Sequence, residues 1–179
     1  LNKTGYYEKD IDELLKGISS PLEKIGLIFS YVKNRMNWNE MYGYSCKSGV
    51  RSAYKDKTGN AAEINLMLTS MLRYAGLSAN PILISTRSNG IALYPSRSAF
   101  NYVISGIELE NQIVLLDATN KYSLPGVLPI RDLNWYGRII RENGSSATVS
   151  LTPQKKSIDA VTLMGNINNE GEISGKVRK

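Results

Sequence analysis

The chain has 179 residues, 42% hydrophobic and 21% charged, with a formal net charge of +6, values that suit one good-sized globular domain with or without a small appendage. Cys46 is the only cysteine and histidine is absent, which excludes an intrachain disulfide, histidine-ligated metal sites, Ser-His-Asp and Cys-His catalysis and a histidine proton shuttle. No apolar run approaches the roughly 18 residues that span a bilayer, and the densest basic stretch, Lys47, Arg51, Lys55 and Lys57 interrupted by Asp56, reads as a solvated face instead of a nucleic-acid stripe.

The chain begins at Leu1 without a signal-peptide pattern and stops on "SGKVRK", so a piece of a longer protein is the expectation. "DIDELLKGISS" predicts a short helix capped at Asp10, with Ile11, Leu14 and Leu15 as its apolar stripe. "SSPLEKIGLIFSYVKNRMNW" predicts a stronger one. There Ser20 caps, Pro21 takes the first helical position, Glu23 completes a capping box, and Leu22, Ile25, Ile28, Phe29 and Val32 form the buried face. Residues 38 to 57, rich in Tyr, Gly, Ser and Lys, read as a long irregular connection with about one helical turn, a length usually reserved for function.

The best helix follows, from about residue 60 to 75. Gly59 precedes the cap Asn60, Glu63 sits where it can reach back to the free amides, and Ile64, Met67, Leu68, Met71, Leu72 and Ala75 mark a broad apolar face that Leu66 widens. Gly76 supplies the stop. "NPILIST" reads as a strand, "RSNG" as a turn, and "FNYVISGIEL", "EN" and "QIVLLDAT" as two antiparallel strands joined by a tight hairpin. "KYSLPGVLPIRDLNW" is a Pro-containing loop and "YGRIIRENG" a further short strand. From Ser145 only strand-like alternation remains, so residues 1–144 form the main domain and 145–179 a β extension or the start of a following β domain. "NINNEG" is a hairpin turn, because a calcium loop would need a carboxylate where Val177 stands.

A helix N-terminus favours developing negative charge, so a loop-to-helix corner is a common seat for a nucleophile. Here the corner reads "GNAAE", from Gly59 to Glu63; the later strands carry "FNYV" and "LDAT". In this order the three stretches resemble the motifs of the transglutaminase-like superfamily, relatives of papain-type thiol enzymes, over roughly residues 20 to 140. The family pattern has Gly-x-Cys-x-acidic at the corner, aromatic-Asn-His-Val on a strand, and Leu-Asp-small-Thr at the next strand's end. The resemblance places Ala61 at the cysteine position, Tyr102 at the histidine position and Asp117 at the aspartate position. It implies an α+β, papain-like cysteine-proteinase fold with helices packed on an antiparallel sheet and a C-terminal β extension. It also implies a bacterial multi-domain parent with flanking β domains and an extracytoplasmic setting, at the periplasm or cell surface.

Alanine has no lone pair with which to attack, and a phenol of ordinary pKa about 10 is a poor base near neutrality. The family reaction is therefore expected to be absent, with no catalytic residues and no cofactor or metal. Asp117 is left to accept a hydrogen bond from Tyr102 or the backbone, and Tyr102 to fill space vacated by thiol and imidazole. The leading expectation is a binding or scaffolding module whose groove takes peptide, protein or glycan, with Trp38, Tyr42, Tyr44, Asn60 and Tyr102 as candidate walls. The alternatives are a thiol-type peptidase, amidase or transglutaminase using Cys46, and a purely architectural spacer.

Overall fold

The computed structural model describes residues 3–94, 98–110, 112–153 and 158–179; Asn111, half of the expected "EN" turn, lies outside them. Helix α1 is Glu8–Leu14 and α2 Pro21–Arg35. A two-residue strand β1, Asn37–Trp38, pairs in parallel with β2, Thr58–Gly59. Between them lies α3, Val50–Asp56, so the long connection holds two helical turns and not one.

The central helix α4, Ala61–Tyr74, opens with the expected capping box. Asn60 Oδ1 accepts from the Glu63 amide at 2.8 Å, and Glu63 Oε2 accepts from the Asn60 amide at 2.9 Å. The other Glu63 oxygen takes the amides of Ser48 and Gly49, at 2.6 and 2.9 Å, so one buried carboxylate caps the helix and anchors the loop before it. Gly76 adopts φ +82°. Its amide donates to the Arg73 carbonyl and that of Leu77 to the Leu72 carbonyl, the paired bonds of a Schellman ending that glycine makes possible.

Five strands follow as one antiparallel sheet: β3 Ala79–Ile84, β4 Tyr102–Leu109, β5 Gln112–Leu116, β6 Tyr136–Ile140 and β7 Ser146–Ser150, in the order β5-β4-β3-β6-β7. Strand β7, although it lies beyond Ser145, is the edge strand of this sheet, with Tyr136 opposite Ser150. Strands β8, Thr162–Ile167, and β9, Ile173–Arg178, form a separate hairpin closed by Asn168, whose side chain accepts from the Glu170 and Glu172 amides.

Strand alternation splits the apolar side chains between two cores. Ile28, Phe29 and Val32 of α2 and Met67, Leu68 and Met71 of α4 pack with Ile107 of β4. Ala61, Ile82, Ile84, Tyr102, Ile104 and Ile139 belong to the second core. Local expectations fail at Asp10, Ser20 and Leu22, at the first because distant partners compete for the side chain. Asp10 does not cap α1, which starts at Glu8 with Tyr7 at the cap position; its carboxylate instead accepts from Tyr31 and Tyr54. Ser20 and Pro21 hold the positions expected of them, but the Ser20 side chain makes no cap bond, and Leu22 faces solvent.

Candidate functional site

Helix α4 sets Ala61 at its first residue, β4 sets Tyr102 at its start, and β5 ends one residue before Asp117. All three are buried. The Tyr102 hydroxyl donates toward Asp117 Oδ2 at 3.3 Å and shares a 2.8 Å bond with the Thr119 hydroxyl. Asn65, one turn into α4, donates to Asp117 Oδ1 at 2.8 Å and to the Val103 carbonyl at 3.0 Å, while its own oxygen accepts the Ala118 amide. The helix therefore grips both strands at the point where they meet the corner. Burial, and then the nearby Asp117 carboxylate, push the Tyr102 phenol well above its ordinary range, so it is a neutral donor and no base.

Two further residues complete the cluster, both from the Pro-containing loop. Arg131 donates to Asp117 Oδ2 at 2.7 Å and reaches the Tyr102 oxygen at 3.4 Å. Its guanidinium carbon stands 4.6 Å from the Trp38 ring and 5.7 Å from that of Tyr102, geometry that adds a cation–π attraction to the ion pair. Asp132 follows, fully buried, with neither carboxyl oxygen accepting a hydrogen bond. It is 3.6 Å from Arg131 Nε. Burial, and then the facing Asp117 carboxylate, drive its pKa far above the usual carboxylate range. Neither Arg131 nor Asp132 was expected from the sequence; a charged dipeptide inside the apolar run "LPIRDLNW" is the one signal that could have drawn attention to them.

The five candidate walls divide. Tyr42 and Tyr44 are each a little over two-fifths exposed and line an open groove of about 480 Å³ with Gly43, Ser98, Phe100 and Asn101. Trp38 is half-buried behind them, edge-on to Tyr42 at 5.6 Å, and Tyr42 is 5.5 Å from Tyr102. Asn60 and Tyr102 are at most 2% exposed, which corrects the expectation that they face a ligand: Asn60 is committed to its cap and to the Ser45 carbonyl, and Tyr102 to the buried cluster. A larger hollow, about 540 Å³, lies along the C-terminal hairpin and has no aromatic lining. Cys46 is half-buried, and burial followed by the Glu63 charge raises its thiol above the ordinary range, the opposite of an activated nucleophile. Among the described residues no three His, Cys, Asp or Glu side chains group as metal ligands.

A capped central helix against an antiparallel sheet, with three motif positions meeting at the helix corner, defines the class: the α+β, transglutaminase/papain-like architecture of the thiol enzymes. The sequence of residues 10–110, more than half of the chain, matches the model of the transglutaminase-like superfamily, and the chain belongs to that superfamily. Two crystal structures share its fold. A candidate protease from Parabacteroides distasonis superposes with a TM-score of 0.60 at 14% identity, over 84% of this chain and 28% of its own. A candidate cysteine protease from Cytophaga hutchinsonii gives 0.50 at 13% identity, over 83% of this chain and 49% of its own. The chain thus spans between about a quarter and a half of these longer proteins. None of the curated proteins matches it.

Proposed function

We propose that this is a non-catalytic transglutaminase-like domain that holds an uncharged segment of a peptide or glycan chain in the groove between Tyr42–Tyr44 and Ser98–Asn101. One observation carries the reading: the corner that would present a nucleophile begins with buried Ala61, in one core cluster with Tyr102, whose hydroxyl is tied up with Asp117 and Arg131. Acyl transfer by the thiol mechanism needs a nucleophile, a base and access for a carbonyl; an aliphatic side chain, a neutral phenol and a closed cluster supply none of them. The groove beside the cluster does not depend on that chemistry. Its lining is aromatic and neutral, which favours stacking and hydrogen bonding over ion pairing.

The reading is tested by titrating the chain with uncharged chito-oligosaccharides and with uncharged Gly/Ser peptides, by calorimetry, alongside Tyr44→Ala. Saturable binding to one series, weakened at least tenfold in Tyr44→Ala with thermal stability retained, is expected. Binding unaltered by the substitution places the ligand elsewhere, and amide turnover lost on changing Cys46 restores the thiol-enzyme alternative.

A further inference from the structure

Asp117 and Asp132 both lie against Arg131, at 2.7 and 3.6 Å, and among the described residues it is the one cation paired with either. Both carboxyls are fully buried. Asp117 is supplied with donors: Asn65, Thr119 through amide and hydroxyl, Tyr102 and Arg131. Asp132 has no hydrogen-bond donor and only the more distant Arg131 Nε. Among the described residues, the titratable or charged groups identified as acting on Asp132 or this cluster are Asp117, Arg131 and Tyr102. Two ionised carboxylates against one guanidinium would leave an uncompensated buried negative charge, which a protein interior disfavours strongly. A single proton on Asp132 removes the excess and turns an orphaned acceptor into a donor aimed at Asp117. This is the arrangement expected when two carboxyls occupy one desolvated site.

The pair closes a segment on itself. Asp117 ends the β5 side and Asp132 lies fifteen positions on, in a short 3-10 turn, Ile130–Asp132. The interval is pinned at its start as well: the buried Lys33 ammonium donates to the Lys121 and Ser123 carbonyls at 3.3 and 2.5 Å, and the Ser123 hydroxyl donates to the Asp117 carbonyl. Between these fastenings Tyr122, Leu124 and Ile130 are exposed, and the middle is held by Leu128 in the second core and by the Gly126 amide donating to the Leu115 carbonyl, which leaves the Arg131–Asp132 end as the part that the buried charges govern.

We propose that Asp132 keeps its proton at neutral pH beside the Asp117–Arg131 ion pair, and that this proton latches residues 117–132 as a strap beside the Ala61–Tyr102 corner, to be released in alkali. Loss of the proton sets two like charges face to face, and Arg131 can neutralise only one. Repulsion then acts on the fastening at the Arg131–Asp132 end; burial also lowers the Lys33 ammonium below its ordinary range, so alkali weakens that end alike in the unaltered chain and in Asp132→Asn, and only the difference between the two chains reports the latch.

The proton is tested by infrared spectroscopy of the chain in deuterated buffer at neutral pH, where solvent-exposed carboxyls are ionised. The expected result is a carboxylic-acid carbonyl band that vanishes in Asp132→Asn; its absence from the unaltered chain overturns the proposal. The latch is tested by hydrogen exchange and mass spectrometry, comparing a peptide covering residues 119–131 with one covering β3, each corrected for intrinsic exchange. Protection of the strap peptide should fall at least tenfold relative to β3 between neutral and strongly alkaline pH. In Asp132→Asn, which keeps a donor but cannot ionise, the fall should be smaller. An equal alkaline loss in both chains, or no loss in either, overturns the latch whatever the infrared band shows.

Discussion

Arg131 lies against Trp38, its guanidinium carbon 4.6 Å from the ring, while one of its nitrogens meets Asp117 at 2.7 Å. A side chain from the loop after β5 thus joins the aromatic wall before α3 to the end of the sheet. The interaction makes the arginine the link between these two parts of the fold.

Removing the arginine leaves the Asp117 charge buried without its cation. Breaking one side of such a pair typically costs about 3–5 kcal/mol, so Arg131→Ala should lower unfolding free energy by about 3 kcal/mol in urea denaturation. Adding Asp117→Asn should recover part of that loss, because the orphaned charge is then gone. A double-mutant cycle without coupling would show that the pair adds nothing to stability.

The seal can be probed with a thiol in the family position. In a Cys46→Ser background, Ala61→Cys should react with iodoacetamide far more slowly than a free thiol in the native chain, because position 61 is buried. Adding Arg131→Ala should raise the labelling rate about tenfold or more by opening the cover, provided circular dichroism reports a folded chain. Rapid labelling with Arg131 in place would show that the corner is accessible.

The protonated Asp132 makes a signed contribution to stability. A group whose folded pKa lies above its unfolded value, about 4 for aspartate, contributes fully below that value and loses the contribution as pH rises through the folded pKa. Urea midpoints of the unaltered chain should accordingly decline from about pH 5 to about pH 9, with a shallower slope in Asp132→Asn. Parallel slopes for the two chains would mean that Asp132 does not hold its proton.

Asp10 behaves oppositely. Hydrogen bonds from Tyr54, then Tyr31, hold its carboxyl below the usual range, so its contribution is present above the ordinary aspartate pKa and lost as pH falls through the depressed folded value. Tyr54→Phe should move the Asp10 pKa upward in an NMR titration and destabilise the chain by about 1 kcal/mol, less than a buried hydrogen bond to a charge because Asp10 is exposed to solvent. An unmoved Asp10 titration would break the assignment.

Gly137 tests the packing of the sheet. A Cβ there would stand 2.8 Å from Ile82 Cγ2, 2.9 Å from Ile84 Cγ2 and 3.0 Å from the Leu83 carbonyl oxygen, and the backbone oxygen cannot step aside as a flexible side chain could. Gly137→Ala should cost about 1–3 kcal/mol through overpacking. A midpoint within error of the unaltered chain would mean that β6 shifts freely against β3.

The sequence alone determined whatever is settled within a few residues. The Asn60–Glu63 capping box and the Gly76 stop are legible because their partners lie at fixed short spacing along one helix, and β3 to β6 because short apolar, β-branched runs bounded by turn residues mark buried strands. The motif order brought Ala61, Tyr102 and Asp117 together on paper, and all three are buried at the corner. The tertiary structure decided what surrounds them. Arg131 and Asp132 are charged residues in a loop, and by composition alone they belong in water; the approach of Trp38, Tyr102 and Asp117 from three other parts of the chain holds the arginine in the corner, and Asp132 is carried into the interior beside it. The same physics overrode local capping at Asp10, whose carboxylate gains more from two phenols brought by α2 and α3 than from its own backbone. Hydrogen-bond geometry across long sequence separations carries no local signature, so the identity of the groups that fill the corner emerges only once the chain has folded.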